Sequence, residues 1–104
     1  MYYYQTMEYY FEFNYEKSNK LFKERGISFE QIIALIERGC VLDTINHQNQ
    51  AQYPNQKIYI VDVDNYCYLV PHVINGNEIF LKTIIPSRKA TRDYIAKGEQ
   101  NAKI

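Results

Sequence analysis

The chain has 104 residues, of which 46% are hydrophobic, and this predicts one packed domain over residues 1–104. Its formal net charge is zero, so no overall field draws it toward nucleic acid or a membrane surface. The two cysteines offer neither a disulfide framework nor metal-ligand spacing, and the sequence has no signal-peptide pattern or membrane-length apolar run. We therefore expect a cytoplasmic protein with no cofactor and no membrane partner.

The first half of the chain predicts a strand followed by a helical hairpin. Residues 7–13 are rich in aromatic side chains and predict a strand. Asn14 caps a helix over residues 15–25, which Gly26 ends. Ser28 and Gln31 form a capping box for a second helix, which runs to Gly39. The short connection predicts that the two helices pair.

The second half predicts a meander of strands and a last helix. A strand at 41–45 precedes an amide-rich loop over 46–56. Three strands follow at 57–63, 66–73 and 78–85, with turns at Asp64-Asn65 and Asn75-Gly76, and a helix over 88–97 precedes a polar tail, 99–104. This order predicts an α+β fold, in which a small antiparallel sheet carries the helical hairpin on one face and is followed by a C-terminal helix.

The segment between residues 82 and 92 has four cations and no carboxylate: Lys82, Arg88, Lys89 and Arg92. Ser87 can cap the last helix, whose free N–H groups and dipole favour an anion. Arg88 and Arg92 are four residues apart and share a helix face. The segment predicts a phosphate site. A solvated basic face, or a surface for an acidic protein partner, is the alternative.

Three further titratable residues have simpler interpretations. Cys67 lies in a strand-like run and is expected to be a buried free thiol. His72 follows Pro71 and is expected to face solvent or to cap the sheet edge. His47 lies in the loop without a visible partner.

Three motifs resemble the BrnT family of type II toxin–antitoxin ribonuclease toxins. The first is Phe13-Asn14-Tyr15-Glu16-Lys17 at the start of helix one. The second is the helix junction Gly26-Ile27-Ser28-Phe29-Glu30, and the third is Ser87-Arg88-Lys89-Ala90-Thr91-Arg92. The resemblance covers about residues 10–96. The chain departs from the family at Asn14, where Asp is usual, and at Arg25, where the family has a histidine.

The resemblance implies a RelE-like fold and an endoribonuclease that inhibits translation by cleaving RNA through its 2′-hydroxyl. For that reaction, Arg88 and Arg92 suit stabilisation of the charge on the phosphoryl oxygens, and Lys17 and Lys82 are the candidates for proton transfer, so these four are the predicted catalytic residues. The resemblance also implies RNA contacts from Lys20, Ser87, Lys89 and Tyr94. Residues 17–27 and residues 78–104 each carry a net charge of +3, and this distribution, with the third motif, predicts that Lys17 converges with Arg88 and Arg92 on one basic surface.

The resemblance also implies partners. A ribbon-helix-helix antitoxin should hold two toxins on one antitoxin dimer and carry them to DNA, while RNA is the substrate. The missing histidine at Arg25 keeps a second hypothesis open, a non-catalytic module that docks an antitoxin or nucleic acid. A nucleotide- or small-ligand-binding domain is a third, against which the resemblance argues.

Overall fold

The computed structural model describes residues 2–5 and 9–96 of the chain. Within them the fold is α+β, with one mixed sheet and helices on both of its faces. The elements in chain order are β1 (Tyr2–Gln5), β2 (Tyr10–Phe13), α1 (Tyr15–Arg25), α2 (Phe29–Glu37), β3 (Val41–Asn46), β4 (Gln56–Val63), β5 (Tyr66–Asn75), β6 (Glu78–Leu81), β7 (Ile85–Pro86) and α3 (Arg88–Thr91), which continues as a π-helical segment (Arg92–Ala96).

The strands lie in the order β1-β2-β6-β5-β4-β3, and β7 pairs with the first half of β5. All neighbours are antiparallel except β2 and β6, which run parallel with Phe11 opposite Ile79. The prediction of an antiparallel sheet is wrong at this pair. Strands β3 to β6 alternate in direction, and β2 lies beside β6 with the same direction as β6.

The helical hairpin covers one face of the sheet, as predicted. Gly26 ends α1 with a φ of 73°, and the capping box joins the Ser28 hydroxyl to the Gln31 backbone N–H at 3.2 Å. The core beneath the hairpin consists of buried apolar side chains from both helices, four strands and two loop positions: Phe11, Phe13, Leu21, Ile27, Phe29, Ile32, Ile33, Val61, Val70, Ile79, Leu81 and Ile84.

A buried hydroxyl fixes the angle between the two helices. Ser18 of α1 is fully buried, and its Oγ donates to Glu30 Oε1 at 2.6 Å. The same oxygen accepts the backbone N–H of Phe29 at 2.9 Å. That N–H belongs to the first turn of α2, where no intrahelical acceptor exists, so Ser18 supplies the missing partner.

The C-terminal helix packs on the opposite face of the sheet. Ala90 of α3 lies in a small cluster with Ile60 and Cys67. Since side chains alternate between the faces of a strand, Ile60 points away from Val61, which lies beneath the helical hairpin. The sheet therefore separates α3 from α1 and α2. Cys67 is a buried free thiol, as predicted.

Several boundaries differ from the prediction. β1 was not predicted, and only Tyr10–Phe13 of the strand at 7–13 is a described strand. The strand at 78–85 is interrupted after Leu81, since buried Ile84 turns into the core before Ile85 pairs with β5. The last helix is α-helical for one turn and then π-helical to Ala96. Residue 97 of that helix and the tail, 99–104, lie outside the described residues.

His72 is the clearest departure from the predicted exposures. It is fully buried on the hairpin side of β5, so the expectation that it faces solvent or caps the edge is wrong. Its ring stacks on Tyr59 with centroids 3.7 Å apart, and its Nδ1 lies 2.9 Å from the carbonyl oxygen of Val70. Its Nε2 has no hydrogen-bond partner among the described residues. Burial lowers the pKa of His72 below its ordinary value.

Candidate functional site

Three residues of the segment 87–92 attach α3 to the sheet. The Ser87 hydroxyl accepts the backbone N–H of Ala90 at 3.1 Å, which confirms the predicted cap. The Thr91 hydroxyl accepts the N–H of Cys67 and donates to the Ser87 carbonyl, both at 2.8 Å. Ala90 packs against β5 with 7% of its surface exposed. The small residues of this motif therefore hold α3 in place.

The cations of the same segment face outward. Arg88, Lys89 and Arg92 are all exposed. Arg92 Nε lies 3.3 Å from Asp93 Oδ1, so part of its charge is offset by its neighbour. Within the described residues, Arg88 and Lys89 have no carboxylate within salt-bridge distance. The structure therefore presents two uncompensated cations at the start of α3.

Lys17 lies far from this cationic group. It is exposed in the first turn of α1, on the opposite face of the sheet from α3. The end of α1 that approaches the segment before Arg88 is the other one, where the Arg25 guanidinium donates to the Ile84 carbonyl. Lys17 precedes Arg25 by eight residues, or about 12 Å of helix. The prediction that Lys17 converges with Arg88 and Arg92 is wrong.

Lys82 and Lys20 also lie apart from α3. The N–H of Lys82 bonds the Pro71 carbonyl, whereas the N–H of Ser87 bonds the Cys67 carbonyl. Those two acceptors are four residues apart on β5, which is about 13 Å of strand. The Lys82 ammonium lies 3.4 Å from Gln56 Oε1. Lys20 faces Glu24 of its own helix at 3.9 Å.

A cavity of about 480 Å³ lies between α3 and the neighbouring face of β3, β4 and β5. Its floor is aliphatic and is formed by Ile45, Ile58, Ile60 and Leu69. Its rim is formed by polar residues: Asn46, His47, Gln48, Ser87, Lys89, Asp93 and Tyr94. Three of the predicted site residues, Ser87, Lys89 and Tyr94, therefore share this cavity.

Tyr94 bridges the π-helical segment to β3. Its hydroxyl donates to Asp43 Oδ2 at 2.6 Å. This hydrogen bond, more than its slight burial, raises the pKa of the Tyr94 phenol. Its proton is held by Asp43, and its predicted contact with RNA stays a prediction.

The position of His47 at the cavity could not be inferred from the sequence. His47 is half-buried, its Nδ1 accepts the N–H of Asn49 at 3.0 Å, and its ring lies 4.5 Å from that of Tyr53. It reaches the rim shared with Lys89 because β3 and β4 lie beside β5 in the sheet. The amide-rich composition of residues 46–56 was the one local feature that set the segment around His47 apart.

The described residues contain no cluster of three or more His, Cys, Asp or Glu side chains that could hold a metal ion. No helix among them has the length and apolar character needed to cross a membrane. The candidate site is thus a pair of exposed cations beside a cavity with an aliphatic floor and a polar rim. Comparisons of the chain with protein-family models, curated proteins and solved structures found no match.

Proposed function

We propose that this chain is the toxin of a type II toxin–antitoxin pair and that it cleaves RNA through the 2′-hydroxyl without a metal. The observation that carries the proposal is the display of Arg88 and Lys89. Ser87, Ala90 and Thr91 fix α3 to the sheet, and the two cations beside them point to solvent without a carboxylate partner.

The cations suit the charge that develops in RNA cleavage. Attack by a 2′-hydroxyl places extra negative charge on the phosphoryl oxygens, and fixed cations aimed at those oxygens stabilise it. Arg88 can bind two of the oxygens at once, because a guanidinium presents paired N–H donors. Lys89 adds a second charge beside it, and Arg92 contributes less because it faces Asp93.

Proton transfer in this proposal falls to His47 rather than to Lys17 or Lys82. His47 shares the cavity rim with Lys89, whereas Lys17 and Lys82 lie away from α3. Histidine is the side chain that most often transfers protons in enzymes. The roles of Lys17 and Lys82 stay predictions.

A second candidate function is a binding module that docks an antitoxin or nucleic acid without cleavage. The observation in its favour is that neither predicted catalytic lysine lies beside Arg88. The Tyr94 hydroxyl, another predicted participant, is bound to Asp43. In this alternative the same two cations bind phosphate or carboxylate groups and no bond is broken.

The proposed partner is a ribbon-helix-helix antitoxin, with two toxins on one antitoxin dimer and DNA bound through the antitoxin alone. A RelE-like arrangement of the α+β fold belongs to the same proposal. β3 is an edge strand of the sheet and exposes Leu42 and Ile45. An extended antitoxin segment can add to such an edge through main-chain hydrogen bonds.

Expression of the chain without its partner is expected to slow growth, and Arg88→Ala is expected to relieve the effect. Arg38→Ala removes the same charge from an exposed side chain at the end of α2 and serves as the matched control. Growth curves with equal protein levels, and circular dichroism of each variant, provide the measurement. Equal growth inhibition by the wild type and a folded Arg88→Ala variant would contradict the role of Arg88.

A further inference from the structure

The cavity beside α3 has an apolar floor that the fold itself leaves open. Ile45 is 38% exposed there, and Ile58 and Leu69 are half-buried. Its volume of about 480 Å³ falls in the range that small-ligand sites occupy. A flat ring of nucleobase size would cover this aliphatic surface and remove it from water.

One amide side chain on the rim, that of Gln48, is free to bind a ligand. In the loop that follows β3, the side chains of Asn49, Gln50 and Gln52 make hydrogen bonds within the loop. The side chain of Gln48, a residue of the cavity rim, makes no hydrogen bond within the described part of the chain, whereas Asn46 pairs with Lys57 and its side chain belongs to the other face of the sheet. Amides carry both donors and acceptors, as the edges of a base do.

The charge around the rim is positive on balance. Three cations, Arg88, Lys89 and Arg92, stand against two carboxylates, Asp43 and Asp93. Arg92 lies against Asp93, whereas Lys89 has no carboxylate within salt-bridge distance among the described residues. A ligand in the cavity therefore meets apolar walls, one free amide and one unpaired ammonium.

We infer that the cavity holds one unstacked base of a single-stranded RNA, with an adjoining phosphate on Lys89; this inference rests on the proposed function. Gln48 binds the polar edge of the base, and the isoleucines and Leu69 pack on its face. Single-stranded RNA is recognised in this way elsewhere, by apolar contact with splayed bases and hydrogen bonds to their edges.

An apolar side chain from an antitoxin is the competing occupant. It would cover the aliphatic floor, while the exposed Gln48 and Lys89 would stay hydrated and contribute nothing to its binding. A nucleotide covers the same floor and also offers acceptors to the amide and a phosphate to the ammonium, so the observations favour it.

The test is titration of the full-length protein, labelled at Ile and Leu methyl groups, with each of the four nucleoside 5′-monophosphates, followed by NMR. Ribose 5-phosphate is the probe that lacks a base. We expect methyl shifts at Ile45, Ile58 and Leu69, and at least one nucleotide binding about 10-fold more tightly than ribose 5-phosphate. Lys89→Ala should weaken that nucleotide, Ile58→Phe should block it by filling the cavity, and Arg38→Ala should change neither.

Equal affinity for ribose 5-phosphate and for all four nucleotides would overturn the inference, as would shifts confined to residues outside the cavity. So would a leucine-bearing acidic peptide that shifts the same methyls while no nucleotide does. The proposed function is judged separately, by RNA cleavage. Cleavage that depends on Arg88 but is unaffected in a folded Ile58→Phe variant would sink the base pocket and leave the ribonuclease standing.

Discussion

Replacing Phe29 by alanine is expected to lower the free energy of unfolding by about 3–5 kcal/mol. Phe29 opens α2, is fully buried, and packs on Phe13 with ring centroids 5.3 Å apart. Its removal leaves a cavity where the helical hairpin meets the sheet. Since single domains are stable by about 5–15 kcal/mol, the variant should be partly unfolded well below the wild-type melting temperature.

Phe22→Ala is the matched control, because Phe22 is 53% exposed on α1. Its effect should stay within about 0.5 kcal/mol. Urea unfolding followed by circular dichroism at neutral pH measures both variants. A loss at Phe22 as large as that at Phe29 would mean that the hairpin packs on the sheet through a different face.

Stability is expected to fall with acidity because of His72. Its folded-state pKa is lowered by burial, while the unfolded chain has the ordinary value of about 6.5. Below that pH the unfolded state binds more protons than the folded state, so the free energy of unfolding falls as pH falls. The loss continues until the pH reaches the lower, folded-state pKa, and its slope is at most about 1.4 kcal/mol per pH unit.

The surroundings of His72 explain why the charged form is disfavoured. Its ring lies against Tyr59, the Val70 carbonyl bonds Nδ1, and Lys57 opposes it across β4 and β5. Of these neighbours, only the Val70 carbonyl favours the protonated form of the His72 ring. His72→Phe keeps the stacked ring and removes the titration.

Urea unfolding at several pH values between about 5 and 7 makes the comparison, a window above the ordinary carboxylate range. The wild type and a His47→Gln control should both lose stability across it, and His72→Phe should lose much less. An unchanged slope in His72→Phe would show that another group carries the acid sensitivity.

The sequence could predict the features that depend on neighbouring residues. Asn14, Gly26 and Ser28 define the ends of α1 and α2 through caps that involve residues within one turn. Asp64 and Asn65 both adopt positive φ, at 52° and 67°, as the tight hairpin turn between β4 and β5 requires. The Ser87 cap belongs to the same class.

Features that depend on distant pairing could not be predicted in this way. The parallel pair β2–β6 is set by contacts between residues nearly seventy positions apart, such as Phe11 and Ile79. The burial of His72 did have a signal, since Val70 and Ile74 share its strand parity and both pack in the core. Because His72 follows Pro71, it was expected to face solvent or to cap the sheet edge.

The candidate site likewise has one part that depends on neighbouring residues and one part that depends on distant pairing. Arg88 and Lys89 were identified because they adjoin a local cap, and the structure presents both to solvent. The cavity could not be foreseen, because Asp43 and His47 reach α3 through the order of strands β3, β4 and β5. The predicted convergence of Lys17 with Arg88 and Arg92 was wrong because the sequence does not show which face of the sheet each helix covers.

The most direct test of the ribonuclease proposal is cleavage of end-labelled single-stranded RNA by the purified chain in the presence of a metal chelator, with a translating extract as the second substrate. We predict fragments that end in a 2′,3′-cyclic phosphate, a rate at least about 10-fold lower for Arg88→Ala, and an unchanged rate for Arg38→Ala. If the folded wild type cleaves neither free RNA nor translated messenger RNA, or if Arg88→Ala cleaves as fast as the wild type, the proposal is contradicted.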